Sequence, residues 1–200
     1  MKKWHTLVLA IAIVALIASA GFLYTTLKEA AAPDRIMEAP STASESTEIG
    51  AAEEAATPDM TAPGFTVYDP EGNAVTLESL RGKPVILNFW ATWCGYCVME
   101  MPDFQAAYEE FGDQIHFMMV NVTDGYQETE ATAKAFIAGR EFTFPVYYDL
   151  DLSAASAYGV DSMPVTFFID ADGMAVAYGR GAMDAASLRQ GIDMLLGVTE

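Results

Sequence analysis

Between Val85 and Trp90 the chain reads VILNFW, almost unbroken in apolar residues, and four residues later comes Cys94, followed at Cys97 by the only other cysteine. Such a run is expected of a strand covered on both faces. Beyond it, Met101, Phe104, Tyr108 and Phe111 recur at helical spacing, and the same stripe includes Cys97. A buried strand, a brief loop and a helix opening at the cysteines therefore follow one another, which demands a sheet with helices packed on it. Other segments agree with that frame. Phe65 to Tyr68 and Ala74 to Thr76 flank the turn-forming DPEGN and read as a hairpin. Ile115 to Val122 is a second buried strand, Gln127 to Ala138 a helix, Val146 to Tyr148 a short strand and Leu152 to Tyr158 a short helix. Val165 to Ile169 and Met174 to Tyr178 form a terminal hairpin around DADG, and Asp184 caps a last helix carrying Leu188, Ile192, Leu195 and Leu196 on one side. The fold class is α/β: a central mixed sheet with helices on both faces, without internal repeats.

These patterns occupy only residues 64–200. Residues 1–27 open with Lys2 and Lys3 and contain an uncharged stretch of 17 residues from Leu7 to Leu23, close to the lower limit of about 17–25 for a membrane-crossing helix. Ala18-Ser19-Ala20 resembles a signal cleavage site, whereas Phe22, Leu23 and Tyr24 carry the apolar run past it, so an uncleaved anchor and a removed signal both stay open, the anchor favoured. The leading lysines put the N-terminus inside and the rest outside, so the expected location is membrane-anchored and extracytoplasmic, or secreted after cleavage. Residues 28–63 are rich in Ala, Glu, Ser, Thr and Pro, with two basic residues against eight acidic ones. That composition reads as a disordered acidic tether. The whole chain carries a formal charge of −18, which repels nucleic-acid phosphates and excludes nucleic acid as a partner.

Cys94-Gly95-Tyr96-Cys97 carries the chemistry. A thiol at a helix N-terminus lies beside unpaired N–H groups and the positive end of the dipole, both of which favour thiolate, and can ionise at pH ~3.5–7.5 instead of ~8.5. The second sulfur, one turn on, is placed to attack the first after it has formed a mixed disulfide. Cys94 is the expected exposed nucleophile and Cys97 the resolving thiol, together a redox-active disulfide. An inert cross-link and half of a zinc site are the competing readings. Zinc lacks ligands, since only His5 and His116 accompany the two thiols, and neither metal nor other cofactor is expected.

The segment NFWATWCGYCVMEMP, with GKPVIL before it and YGVDSMPVTFFIDADG after it, resembles the TlpA/ResA-like family of membrane-anchored, thioredoxin-like thiol-disulfide oxidoreductases. The resemblance implies a thioredoxin-like fold with an N-terminal β-hairpin and an inserted helix-strand-helix segment, mapped to roughly 127–158. It implies a cis Met163-Pro164 bond, with Pro164 against the cysteines and neighbouring backbone offered to substrate as an added strand. Trp93, Tyr96, Met163 and Pro164 are the expected substrate-binding residues. Glu100 lies beside the buried stripe; an exposed acid in the first helical turn and a half-buried proton acceptor for Cys97 are both compatible with its spacing, and the resemblance implies the latter. Thioredoxins proper have a buried aspartate where this chain has Asn88. The implied activity is reduction of protein disulfides outside the cytoplasm, the partners being a disulfide-containing client and a membrane thiol-disulfide electron donor. Clients of the implied kind are the haem-site cysteines of apocytochromes c or a methionine sulfoxide reductase.

Gly95-Tyr96 resembles the dipeptide of periplasmic disulfide isomerases, so an isomerase or oxidant is the alternative direction of electron flow. A copper-delivery protein on the same fold would need three residues between the cysteines, where this chain has two. Met60, Met99, Met118, Met119 and Met163 read as core filling. Pro102, inside the helix pattern, removes the bond to the Val98 carbonyl, so a kink in the helix is expected there. The acidic pairs Glu109-Glu110 and Asp149-Asp151 read as solvated surface.

Overall fold

The computed structural model describes residues 60–198 and, before them, the two-residue strand Met37–Glu38. The apolar run Leu7 to Leu23 and nearly all of the acidic stretch after it lie outside the described residues. Among those described, no helix is long and apolar enough to cross a membrane.

Eight strands form one mixed sheet: β1 (Met37–Glu38), β2 (Thr66–Tyr68), β3 (Ala74–Thr76), β4 (Val85–Trp90), β5 (His116–Asn121), β6 (Val146–Tyr148), β7 (Val165–Ile169) and β8 (Ala175–Arg180), in the order β1-β8-β7-β4-β5-β6-β2-β3. Among the described residues four α-helices accompany them, α1 (Gly95–Phe111), α2 (Glu130–Ala138), α3 (Ser153–Ala157) and α4 (Ala185–Leu196), with a short 3-10 helix at Leu77–Leu80. This is the expected α/β architecture, including the entry hairpin and the helix-strand-helix insertion α2, β6 and α3. Strand β4 is central, parallel to β5 on one edge and antiparallel to β7 on the other. All six of its residues are buried.

Alternation along β4 sorts the core into two layers. Ile86 and Trp90 join Cys97, Met101 and Phe104 of α1 with Leu188 and Ile192 of α4, while Val85, Leu87 and Phe89 join Phe65, Val67, Leu77 and Ala154 on the opposite face. Asn88 shares the face of Ile86 and Trp90. Its polar group is thereby directed at α1, and its neighbour across the ladder on β7 is Thr166.

Four places differ from what the sequence suggests. The ordered unit begins before Gly64: Thr61 bridges Met174, Ala62 N–H donates to the Gly173 carbonyl, and Ala62 is buried. The backbone there is satisfied by the β7–β8 turn, which composition does not record. Met37–Glu38 likewise pairs antiparallel with Ala177 and Tyr178, within the stretch read as tether. Asp149 is buried rather than solvated: it accepts from the N–H groups of Ala154 and Ala155 and so caps α3, a task Leu152, at φ 54 and without a side-chain cap bond, does not perform. Burial raises the Asp149 pKa despite those bonds. Met99 is exposed, unlike the buried Met118 and Met119. Helix α1 is continuous through Pro102, which lies on its solvent side.

Gly191 of α4 is buried against Phe168 of β7, where an added methyl would overlap the ring. Alanine improves helix propensity by about 1 kcal/mol, yet overpacking costs about 1–3 kcal/mol. Gly191→Ala is expected to lower the denaturation midpoint, and urea unfolding with an unchanged slope checks it.

Candidate active site

Strand β4 ends at Trp90 and the chain reaches α1 through Ala91, Thr92 and Trp93. Cys94 is the N-cap of α1, with extended backbone, and its sulfur accepts from the Cys97 N–H at 3.2 Å. The two cysteines are joined as a disulfide with Cα atoms 5.3 Å apart. Cys94 is 7% exposed and Cys97 0%. Cys94, expected to be the exposed sulfur, is therefore buried in the disulfide form, while Trp93 and Tyr96 on either side of it stand out into solvent.

The antiparallel pairing of β4 with β7 brings the start of β7 to the same end of the sheet, with Val165 opposite Phe89. Pro164, one residue earlier, is buried, follows a cis bond from Met163, and has its carbonyl bound by Gly181 N–H at 2.9 Å. Met163 is half-buried, and its backbone makes no hydrogen bond among the described residues. Trp93, Cys94, Tyr96, Cys97, Met163 and Pro164 thus belong to two segments that meet at one end of the sheet.

Glu100 lies one turn beyond Cys97 on α1, 2% exposed, deeper than the half-buried position its spacing suggests. Its Oε1 accepts from Asn88 Nδ2 at 2.8 Å and its Oε2 from Met183 N–H at 2.8 Å. Burial pushes its pKa up to about 7, against the lowering effect of those two donors, and Asp103 adds a small further rise. Asn88 Nδ2 also donates to Thr166 Oγ1 at 3.0 Å, while Asn88 Oδ1 has no partner. A protonated Glu100 has a hydroxyl hydrogen to give, and an overturned Asn88 amide can accept it. The pair therefore has a hydrogen-bonding arrangement for either charge state.

Arranged this way, a helix-capping sulfur flanked by exposed aromatics, a fully enclosed partner sulfur and a buried carboxyl poised near neutrality can exchange disulfides and move a proton. The AhpC/TSA family model matches residues 58–178. A thiol-disulfide oxidoreductase ResA of Geobacillus thermodenitrificans is 35% identical over 136 residues, 68% of this chain and 76% of that one. ResA of Bacillus subtilis is 33% identical over 135 residues, 67% of this chain and 73% of that one. The pneumococcal exposed lipoprotein thioredoxin Etrx1 of Streptococcus pneumoniae superposes with a TM-score of 0.60 at 30% identity, covering 66% of this chain and 99% of that one. The chain belongs to the ResA-like thiol-disulfide oxidoreductases of the AhpC/TSA family. It is thioredoxin-like in fold and an enzyme of the protein-disulfide reductase type.

One buried group at this oxidoreductase site is not legible in the sequence. Glu128, in the loop between β5 and α2, is 0% exposed. It accepts from Thr92 N–H at 3.0 Å, Thr92 Oγ1 at 2.7 Å and Asn121 Nδ2 at 3.1 Å. In QETE it has the look of a surface acid at a helix start; only the length of the preceding loop, which returns it to the end of β4, brings it inside.

Glu100 also sets a pH dependence. Because its folded-state pKa is raised, the native chain holds a proton that the unfolded chain releases near pH 4.5. Its contribution to stability is complete below that pH and is lost as pH rises through about 7, by at most about 3 kcal/mol. Urea midpoints measured from pH 4 to 8 are expected to show this decline in the native chain, and Glu100→Gln is expected to flatten it.

Proposed function

We propose that the chain is an extracytoplasmic, membrane-anchored reductant of protein disulfides working through Cys94 and Cys97. The observation that carries this reading is the unequal setting of the two cysteines: Cys94 caps α1 at 7% exposure with a backbone donor on its sulfur, and Cys97 has no exposure at all. A bulky client reaches only the first. The exchange starts from the dithiol. Cys94 thiolate attacks one sulfur of the client disulfide, a mixed disulfide forms, and the other client sulfur leaves as a thiolate that takes up a proton. Cys97, after losing its proton, attacks the Cys94 sulfur. The mixed bond breaks, the second client thiolate departs, and the Cys94–Cys97 disulfide remains, so two electrons have passed to the client.

Glu100 is the acceptor of the Cys97 proton in this scheme. A carboxyl held near 7 is divided between its two forms at neutral pH, the condition under which it can both take and return a proton. Trp93 and Tyr96, exposed on either side of Cys94, and the unpaired Met163 backbone ahead of Pro164 receive the client chain. Regeneration needs a membrane thiol-disulfide donor, since outside the cytoplasm no glutathione or thioredoxin pool supplies electrons. The Lys2-Lys3 start and the apolar run after it support the anchored, outward placement, as does the description of the related Etrx1 as an exposed lipoprotein. Apocytochrome c haem-site cysteines, or a methionine sulfoxide reductase, are the clients this reading favours.

The full chain carrying Cys97→Ser, in its native membrane, is expected to accumulate a covalent adduct through Cys94 that dithiothreitol releases and that is missing when Cys94→Ser is added. Absence of any adduct, with insulin disulfides left intact by the reduced native chain, overturns the proposal. A reduction potential within the ~−180 to −120 mV of isomerase- and DsbA-type proteins would reverse the assigned direction of electron flow.

A further inference from the structure

Glu128 is a fully enclosed carboxylate that the exchange scheme does not use. Its three bonds come from donors, two on Thr92 and one on Asn121, the pattern that suits an ionised group. No Lys, Arg or His among the described residues forms an ion pair with it. Its loop is built to hold it there. Asp124 Oδ1 accepts from the N–H groups of Tyr126, Gln127 and Glu128 at 2.7–2.8 Å, and the Glu128 carbonyl accepts from Gly125 N–H at 2.9 Å. Asn121, the last residue of β5, stands opposite Trp90, the last of β4, and keeps its own carbonyl oxygen occupied by Thr123 Oγ1.

Two physical consequences follow. Binding both the N–H and the hydroxyl of Thr92 fixes the loop that carries Trp93 and Cys94. A negative charge buried without a cation also acts through a poorly screening interior, and Thr92 is only two residues before Cys94. It works against the helix N-terminus, which favours the Cys94 thiolate. We infer that Glu128 is a positioning residue of the exchange centre whose buried charge makes Cys94 harder to ionise and thereby keeps the pair reducing. A thiolate that is less stabilised means a dithiol form that is less stabilised, and hence a lower potential. The inference rests on the exchange reading of Cys94 and Cys97 and deepens it by giving a physical source for the direction of electron flow.

The test is alkylation of reduced full-length chain across pH, with Cys97 replaced by Ser so that Cys94 alone titrates, together with equilibration of the two-cysteine form against glutathione. Glu128→Gln keeps an oxygen to accept from Thr92 and removes the charge. It is expected to raise the Cys94 thiolate fraction below its midpoint by about threefold to tenfold, and to move the equilibrium toward the dithiol by a similar factor, at most about 30 mV. Thr92→Val loosens the same clamp but keeps the charge, so its thiolate fraction is expected to hold level or fall. A folded Glu128→Gln with native ionisation and native equilibrium overturns the inference. So does a Thr92→Val that raises the thiolate fraction, which would assign the effect to loop geometry and which decides alone if Glu128→Gln does not fold. Failure of the reduced native chain to cleave protein disulfides would instead overturn the exchange reading, and the Cys94 titration remains interpretable either way.

Discussion

Strand β4 is hydrogen-bonded on both edges and covered on both faces, and this confinement gives the cysteines a fixed address. A strand paired with β5 and β7 over most of its length cannot slip by one residue without moving Ile86, Asn88 and Trp90 to the opposite core layer. The register that buries Trp90 and Phe89 therefore also decides where the loop leaves the sheet and where α1 begins. Helix α1 is seated by the same side chains, because Cys97, Met101 and Phe104 pack in the layer of Ile86 and Trp90. The position of Cys94 at the helix N-cap is thus a result of core packing. The motif itself contributes little to it, since two cysteines with two residues between them impose no particular place in a fold.

Burying carboxylates is expensive, commonly several kcal/mol per ion without compensation, and this domain places two of them close in sequence or structure to the cysteines. They are handled differently. Glu100 has two donors, and burial still outweighs them, so it titrates near neutrality. Glu128 has three donors, two from one residue, and is tied to a strand end and to the loop before Cys94. One is suited to gaining and losing a proton. The other is suited to staying put. Asn88 belongs with the first: a neutral amide between Glu100 and Thr166 can donate or accept, whereas a carboxylate there would face Glu100 with like charge.

Much of this was legible in the sequence, for a physical reason. Buried strands and amphipathic helices announce themselves by period, so β4, β5, α1 and the β7–β8 hairpin follow from apolar spacing, β4 and β7 with the expected bounds and β5 and β8 with ends moved by one or two residues. Resemblance supplied the cis bond at Pro164, which spacing alone could not. Glu128 was illegible because its burial depends on how a loop folds back. Ala62 was illegible because its partner Gly173 lies far along the chain, and Asp149 because its burial depends on the loop that sets it over the first N–H groups of α3. Met99 failed in the opposite sense: a methionine two residues beyond a buried cysteine faces outward on α1, and composition cannot tell that from core filling.

The low exposure of Cys94 bears on how a client would be received in the proposed exchange. With Cys94 7% exposed in the disulfide form, the attacking group in the proposed exchange has to arrive along a direction that Trp93, Tyr96 and the Met163 backbone leave clear. An extended client segment laid beside Met163 meets this condition, because strand-like pairing there fixes its depth and its heading at once. Side chains on such a segment alternate, so only every second one would face the sheet end, and the cysteine must be among those. Selectivity in the proposed arrangement would come from backbone geometry more than from a pocket.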